Sequence, residues 1–295
     1  MSIVKRLLPS FLNLAPDRTA SLDMPLGMSY HGIILKLSAT GGGASFTRAD
    51  IPRVRALLNG KAFIRDIPAS VLHRDNLFRG SRDDASFLYL DFEEPRSKTL
   101  EDQYSTVIHT ASGVNSFKLE LDIAATAVGT LKIETYALMA ATGLGLGPIP
   151  AFIREGVDIS AEGIREIKPG FIVGPSGPGH ILRTVHFLPS SGGAEVAPST
   201  MLGANGITLR KSGVPVIDRL SDAVNRWYQQ HYEDVPQTNL YTVDFVEDNN
   251  TSINLMPTAD ATDLVWEVDV DVSGATTLPV HVDMYYRMVT ALERL

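Results

Sequence analysis

The 295-residue sequence contains no cysteine. Disulfide staples, thiolate nucleophiles and Cys-based metal sites are therefore excluded, and packing alone has to hold the core. Aromatic residues are sparse at 7%, with only two tryptophans, which leaves little material for an aromatic sugar-binding groove. Cations are outnumbered: 26 Lys and Arg stand against 34 Asp and Glu, for a net charge of −8. The chain thus lacks the basic surplus that displaces counterions from nucleic acid, and no direct nucleic-acid contact is expected. No apolar run approaches the ~20 residues of a membrane-crossing helix. The opening MSIVKRLLPSFLNLAP is basic and partly apolar, but Pro9 and Asn13 interrupt it and no small-residue cleavage site follows. It is read as a retained arm.

What is present is written twice. LLNGKAFIRDIPASVLHR (57–74) returns as RKSGVPVIDRLSDAVNRW (210–227), with Gly60 and Gly213 153 positions apart. FLYLDFEE (87–94) returns as LYTVDFVE (240–247) at the same spacing, Asp91-Phe92 falling on Asp244-Phe245. YHGIILKL (30–37) resembles GHILRTVHF (179–187), which sets His31 against His180 at 149. FKLELDI (117–123) resembles VWEVDVD (265–271), with Glu120 against Glu267 at 147, and TLKIETY (130–136) resembles PVHVDMY (279–285). A repeat of this length is a duplicated domain, not a solenoid unit. The expected organisation is an N-terminal arm (1–16), a first repeat (17–141), a linker around TGLGLGPIP (142–150) and a second repeat (151–295).

FKLELDI alternates apolar and charged residues strictly, and WEVDVDV does likewise. A period of two with one apolar face marks half-buried antiparallel strands. Residues 54–58 and 61–66 read as strands joined by Asn59-Gly60, and Ser212-Gly213 is the second copy of that turn; such residues tolerate the positive φ of a two-residue hairpin loop. After each hairpin comes a helix: Pro68 opens one that runs through Ala69–Arg74, and Ser221 is the N-cap of one over DAVNRWYQQHY. With about eight short strands per half and no βαβ alternation, the fold class is all-β, each half a β-sandwich or a jelly roll with a short inserted helix.

Candidate chemistry is thin. GLGLG (143–147) lacks both phosphate-loop spacing and a following helix, and GPSGPG (174–179) is no nucleophile elbow. Glu267, Asp269 and Asp271 share a strand face, a donor set suited to calcium as a structural ion; a solvated face of charge pairs is the competing reading. In the first half the corresponding acids, Glu120 and Asp122, are expected to meet Lys132 on a neighbouring strand. Glu247-Asp248-Asn249-Asn250 reads as a polar turn without EF-hand spacing. The seven histidines are scattered, and His180 and His186 share at most a strand face. Trp227, Tyr228 and Tyr232 fall at helical spacing; they are expected to pin the helix to its barrel or to a neighbouring subunit, with a sugar-stacking platform as the alternative. Lys5 and Arg6 suit an arm resting on acidic lipid. No catalytic set emerges, so the chain is not read as an enzyme. A carbohydrate-binding or receptor-binding jelly-roll module is the alternative to a structural role.

SFLNLAPDRTASLDMPLGMSYHGIILKLS (10–38), IPRVRALLNGKAFIRDIPA (51–69) and VPQTNLYTVDFVEDNN (235–250) resemble a known family. It is that of the double-jelly-roll major capsid proteins of tailless, internal-membrane-containing icosahedral phages of the corticovirus type. The resemblance implies two tandem jelly-roll β-barrels (a double jelly roll), each with a short inserted helix, and a homotrimer of pseudo-hexagonal outline. It implies neighbouring trimers, vertex (penton) and minor capsid proteins as partners, and an internal membrane met by the N-terminal arm. It places the protein in the virion, assembled in the host cytoplasm, and calcium binding by some relatives adds weight to an acidic ion site.

Overall fold

A computed structural model describes residues 3–94, 96–141, 145–171, 179–246, 248, 256–272 and 278–294. Its contacts divide the chain into two units, one of Met1–Ile153 with Val289–Glu293 and one of Arg154–Met288.

The first unit holds β1 (Val4–Leu7), β2 (Thr19–Asp23), β3 (Met28–Ser45), β4 (Arg53–Leu58), β5 (Lys61–Ile67), α1 (Ala69–Phe78), β6 (Phe87–Asp91), α2 (Leu100–Gln103), β7 (Ile108–His109), β8 (Phe117–Asp122) and β9 (Val128–Ala141). One sheet runs β1-β9-β3-β6, with β7 on β3, and the other runs β5-β4-β8-β2. The alternation in FKLELD does what its pattern requires: Phe117, Leu119 and Leu121 are buried, while Lys118, Glu120 and Asp122 are half-buried. Phe117 closes the core between the sheets, its ring 5.1 Å from that of Tyr30 on β3 and 6.0 Å from that of Phe63 on β5.

The chain continues through β10 (Ile149–Ile159), which begins inside the stretch read as a linker; its Phe152 and Ile153 pair in parallel with Ile64 and Arg65. The second unit follows with β11 (Gly163–Ile167), β12 (Ile181–Ser191), β13 (Ala194–Glu195), α3 (Pro198–Met201), β14 (Leu202–Lys211), β15 (Val214–Leu220), α4 (Asp222–His231), β16 (Tyr241–Asp244), β17 (Met256–Pro257), β18 (Leu264–Val270) and β19 (Val280–Thr290). One sheet runs β15-β14-β18-β11; the other runs β10-β19-β12, with β16, β17 and β13 on β12. Trp266 on β18 is fully buried against Phe187 on β12, ring centroids 5.1 Å apart.

Strand for strand the two units repeat one plan. The sheet β5-β4-β8-β2 returns as β15-β14-β18-β11, and β1-β9-β3-β6 returns as β10-β19-β12-β16. Residues 1–16, read as an arm, therefore contain the edge strand β1, in the place β10 takes beside β19 in the second unit. Leu8 and Phe11 behind it are buried. Ladder registers test the sequence offsets directly. Leu58 pairs with Phe117 as Lys211 pairs with Leu264, and Arg55 pairs with Glu120 as Thr208 pairs with Glu267, so 153 and 147 hold. The offset of 149 for the first strand does not. Gly32 pairs with Asp91 and Thr184 with Asp244, which sets His31 opposite Arg183, not His180, at 152. The backbone agrees: Phe92 N–H donates to the His31 carbonyl at 3.1 Å and Phe245 N–H to the Arg183 carbonyl at 2.9 Å.

Several side-chain devices are copied with the backbone. The first turn residue has φ 52° in both copies (Asn59, Ser212), and the glycine after it has φ 79° (Gly60) or 76° (Gly213). Positive φ at both central positions is the hairpin geometry that matches strand twist. The Asn59 amide oxygen accepts the N–H of Asn115 at 2.6 Å, and the Ser212 hydroxyl oxygen accepts that of Thr262 at 3.0 Å, so each turn is also tied to the segment leading into the next strand of its sheet. Asp91 accepts from Glu93 N–H at 3.0 Å and Asp244 from Val246 N–H at 2.8 Å. Each is an Asx turn that ends its strand.

Candidate functional site

The acids of the second unit do not converge. Glu267 accepts from Arg210 Nε at 2.5 Å, and Asp269 accepts both the backbone N–H and the side-chain amide of Asn205 at 3.0 Å. Asp271 lies beyond the end of β18, where its N–H donates to the Met201 carbonyl at 2.8 Å. Among the described residues no three His, Asp or Glu side chains are grouped to hold a metal ion. In the first unit Lys132 does not meet Glu120 or Asp122, because β9 and β8 lie in different sheets. Lys132 bonds Glu134 at 2.6 Å along its own strand, while Glu120 and Asp122 pair with Arg55 at 3.3 and 3.1 Å. Strand alternation tells which face a residue takes but not which sheet the strand joins.

Gly145 and Gly147 line a cleft of about 700 Å³ with Asn59, Lys61 and Gly113. Lys61 Nζ there donates to the main-chain carbonyls of Leu292 and Glu293 at 3.3 and 3.2 Å, so the cation is engaged by the chain itself. Residues 174–178 of GPSGPG and Glu247, Asn249 and Asn250 of the acidic turn lie outside the described residues.

The buried histidines serve packing. His180 and His186 are buried, and His186 Nδ1 is 2.8 Å from the Thr242 hydroxyl. His31 pairs with Glu93, and His109 Nδ1 lies 2.5 Å from Ser29 Oγ. Burial pushes His73 and His109 below the ordinary imidazole range, although Asp83 pulls His73 the other way. His281 behaves oppositely: its bond to Asp158 at 2.7 Å, reinforced by the charge of Asp283, raises its pKa.

The least settled surface is helical. In α4, Asn225 and Gln229 are the buried residues; each donates its side-chain amide to the Thr242 carbonyl at 2.7 Å. The opposite stripe faces out, with Val224 48%, Trp227 59% and Tyr228 41% exposed. Sequence spacing finds these aromatics but not their direction; the signal for direction is the pair of amides at i and i+4. Lys5 and Arg6 stand exposed on β1, paired in the ladder with Leu138 and Ala137.

Comparison with known proteins shows what this plan is. Residues 5–140 match the Viral coat protein P2 N-terminal domain, and residues 149–288 match the Viral coat protein P2 C-terminal domain. No curated protein sequence matches. Among solved structures, the chain is similar to the major capsid protein P2 from Bacteriophage PM2 at a TM-score of 0.80 and 19% identity, covering 98% of this chain and 97% of that one. It is also similar to the major capsid protein of Sulfolobus Turreted Icosahedral Virus (TM-score 0.66, 12% identity, 98% and 97% covered) and to the capsid of the virus PBCV-1 (0.61, 8%, 98% and 95%). The two repeated units are thus the two jelly rolls of a double-jelly-roll fold, and the chain belongs to the viral coat protein P2 family, whose members build the virion capsid.

Proposed function

We propose that this coat protein is a major capsid subunit whose trimers, six barrels in a pseudo-hexagonal outline, tile an icosahedral shell around an internal lipid membrane. The observation that supports this reading is the duplication inside one chain, down to the turn and Asx-turn contacts. Three chains with two kindred barrels each present six nearly equal sides, and a hexagon-like tile covers a curved lattice with few gaps. Closure of three copies follows the cyclic symmetry usual in oligomers. Neighbouring trimers, vertex proteins and minor capsid proteins are the partners such a tile requires. A net charge of −8 suits a coat separated from its genome by lipid. The test is negative-stain imaging of the purified protein, with sedimentation velocity. Hexagonal particles of three chains are the expected result; a single chain at all concentrations and salts refutes the reading.

A further inference from the structure

Resting on the shell reading above, we propose that the exposed aromatic stripe of α4 is the docking surface for β1 of a second copy of this chain.

The stripe is organised. Val224, Trp227, Tyr228 and His231 fall at i, i+3, i+4 and i+7, one face of a helix. The Trp227 ring stacks on His231 at 5.2 Å and 8°, and meets Tyr228 edge-on at 5.6 Å; Tyr228 in turn stacks on Tyr232 at 6.4 Å. The helix turns its polar amides inward and its rings outward, the reverse of an ordinary amphipathic surface helix. Its counterpart α1 shows that the place in the fold does not demand this. There Val71, Leu72 and Phe78 are buried within their own unit, and Arg74 and Asp75 stand where α4 has Trp227 and Tyr228. Aromatic residues lying outward in an ordered stack mark a contact, not a solvated face.

The matching surface is β1. It is an edge strand: Val4–Leu7 pair with Tyr136–Met139 on one side, and no strand pairs with the other side among the described residues. Val4 is 54% and Leu7 59% exposed, and neither Lys5 nor Arg6 makes an ion pair among the described residues. A bare edge with apolar side chains needs cover. Complementarity selects the cover. Residues 3–12 carry two cations and no acid, whereas α4 offers electron-rich ring faces; cations seat well over such rings. Alternation along the strand puts Val4 and Arg6 on one face and Lys5 and Leu7 on the other. Each face therefore pairs one apolar side chain with one cation, which fits a ringed surface. A lipid plane calls for both cations on one side. A contact joining the first unit of one copy to the second unit of the next is heterologous, the kind that builds a ring where the rotation closes.

The cysteine-free chain gives a clean test. Arg6→Cys and Trp227→Cys proteins are made separately, mixed, oxidised and run without reductant. The mixture is expected to give about tenfold more disulfide-linked two-chain product than either variant alone. No excess in a mixture that sediments like wild type overturns the docking while leaving the shell reading intact. As a second measurement, Trp227→Ala with Tyr228→Ala is expected to weaken association about tenfold with an unchanged melting curve; unchanged association overturns the proposal. Flotation with phosphatidylglycerol vesicles covers the rival occupant. If Lys5→Glu with Arg6→Glu abolishes vesicle binding but leaves sedimentation as wild type, β1 serves lipid and the docking falls. A wild type that never leaves the single-chain state removes the shell reading, and this docking with it.

Discussion

Helices α1 and α4 stand 153 residues apart at the same point of the same plan, and each hangs from the strand that follows it by an amide. Asn76 donates to the Tyr89 carbonyl at 2.7 Å, and Gln229, its equivalent, donates to that of Thr242 at 2.7 Å. Beyond that hook they differ. α1 buries Val71, Leu72 and Phe78, whereas α4 buries only Asn225 and Gln229 and leaves its rings outside. The hook is what the fold requires at this position, since a backbone carbonyl at a covered strand needs a donor. What covers the helix is free to vary. Here the duplication kept the hook, while the other residues of the helix diverged.

Four measurements separate what the two units share from what each has for itself. The largest effect is expected in the cores. Trp266→Ala removes a ring with no exposed surface and should cost about 3–5 kcal/mol in the second unit, while its equivalent Leu119→Ala should cost about 2–5 in the first. A Trp266→Ala protein with wild-type denaturant midpoints would place the ring outside the core. Next come the turns. A Cβ at Gly60 or Gly213 meets nothing within 4 Å, so only backbone strain is added, and Gly60→Val and Gly213→Val should each cost about 1–3 kcal/mol. Unequal costs in thermal melts would show that the two turns are not equivalent under load.

The amide hooks should separate the units more finely. Asn76→Leu strips Tyr89 of its side-chain donor and should cost about 1–3 kcal/mol. Gln229→Leu should cost less, because Asn225 still donates to Thr242; hydrogen exchange at β6 and β16 would measure both. The smallest effect is in pH. His281 is held above its unfolded value, so its contribution is complete below about pH 6.5 and fades as pH rises through the folded pKa. His73 is held below its unfolded value; it stabilises above about pH 6.5, and that contribution is lost as pH falls through the folded pKa. The differences between wild type and His281→Asn, and between wild type and His73→Asn, should therefore change with pH in opposite directions. Parallel changes would contradict the assigned environments.

Much of the plan was legible because its markers are local. Asn59-Gly60, Ser212-Gly213, the cap at Ser221 and the Asp-Phe pair each impose a backbone geometry on their immediate neighbours, so like residues at like spacing meant like structure. The first strand of the repeat had no such marker. His180 looked like His31, but ladder pairing, a long-range property, fixed Arg183 there instead. The partner of Lys132 was missed for the same reason. β1 was missed because four residues exposed on both faces carry no alternation to read. β12 and β19 are buried along most of their length on both faces, so their sequences lose the polar alternation that marked FKLELD.

Both amides that fasten α4 end on one main-chain oxygen in the middle of β16. A tug on the Trp227 indole would therefore reach the strand ladder directly, bypassing the connecting segments at either end of the helix. Anything gripping those rings takes hold of a sheet strand, and an indenting tip pressed on an assembled particle should register the spring constant of sheet, not of loop.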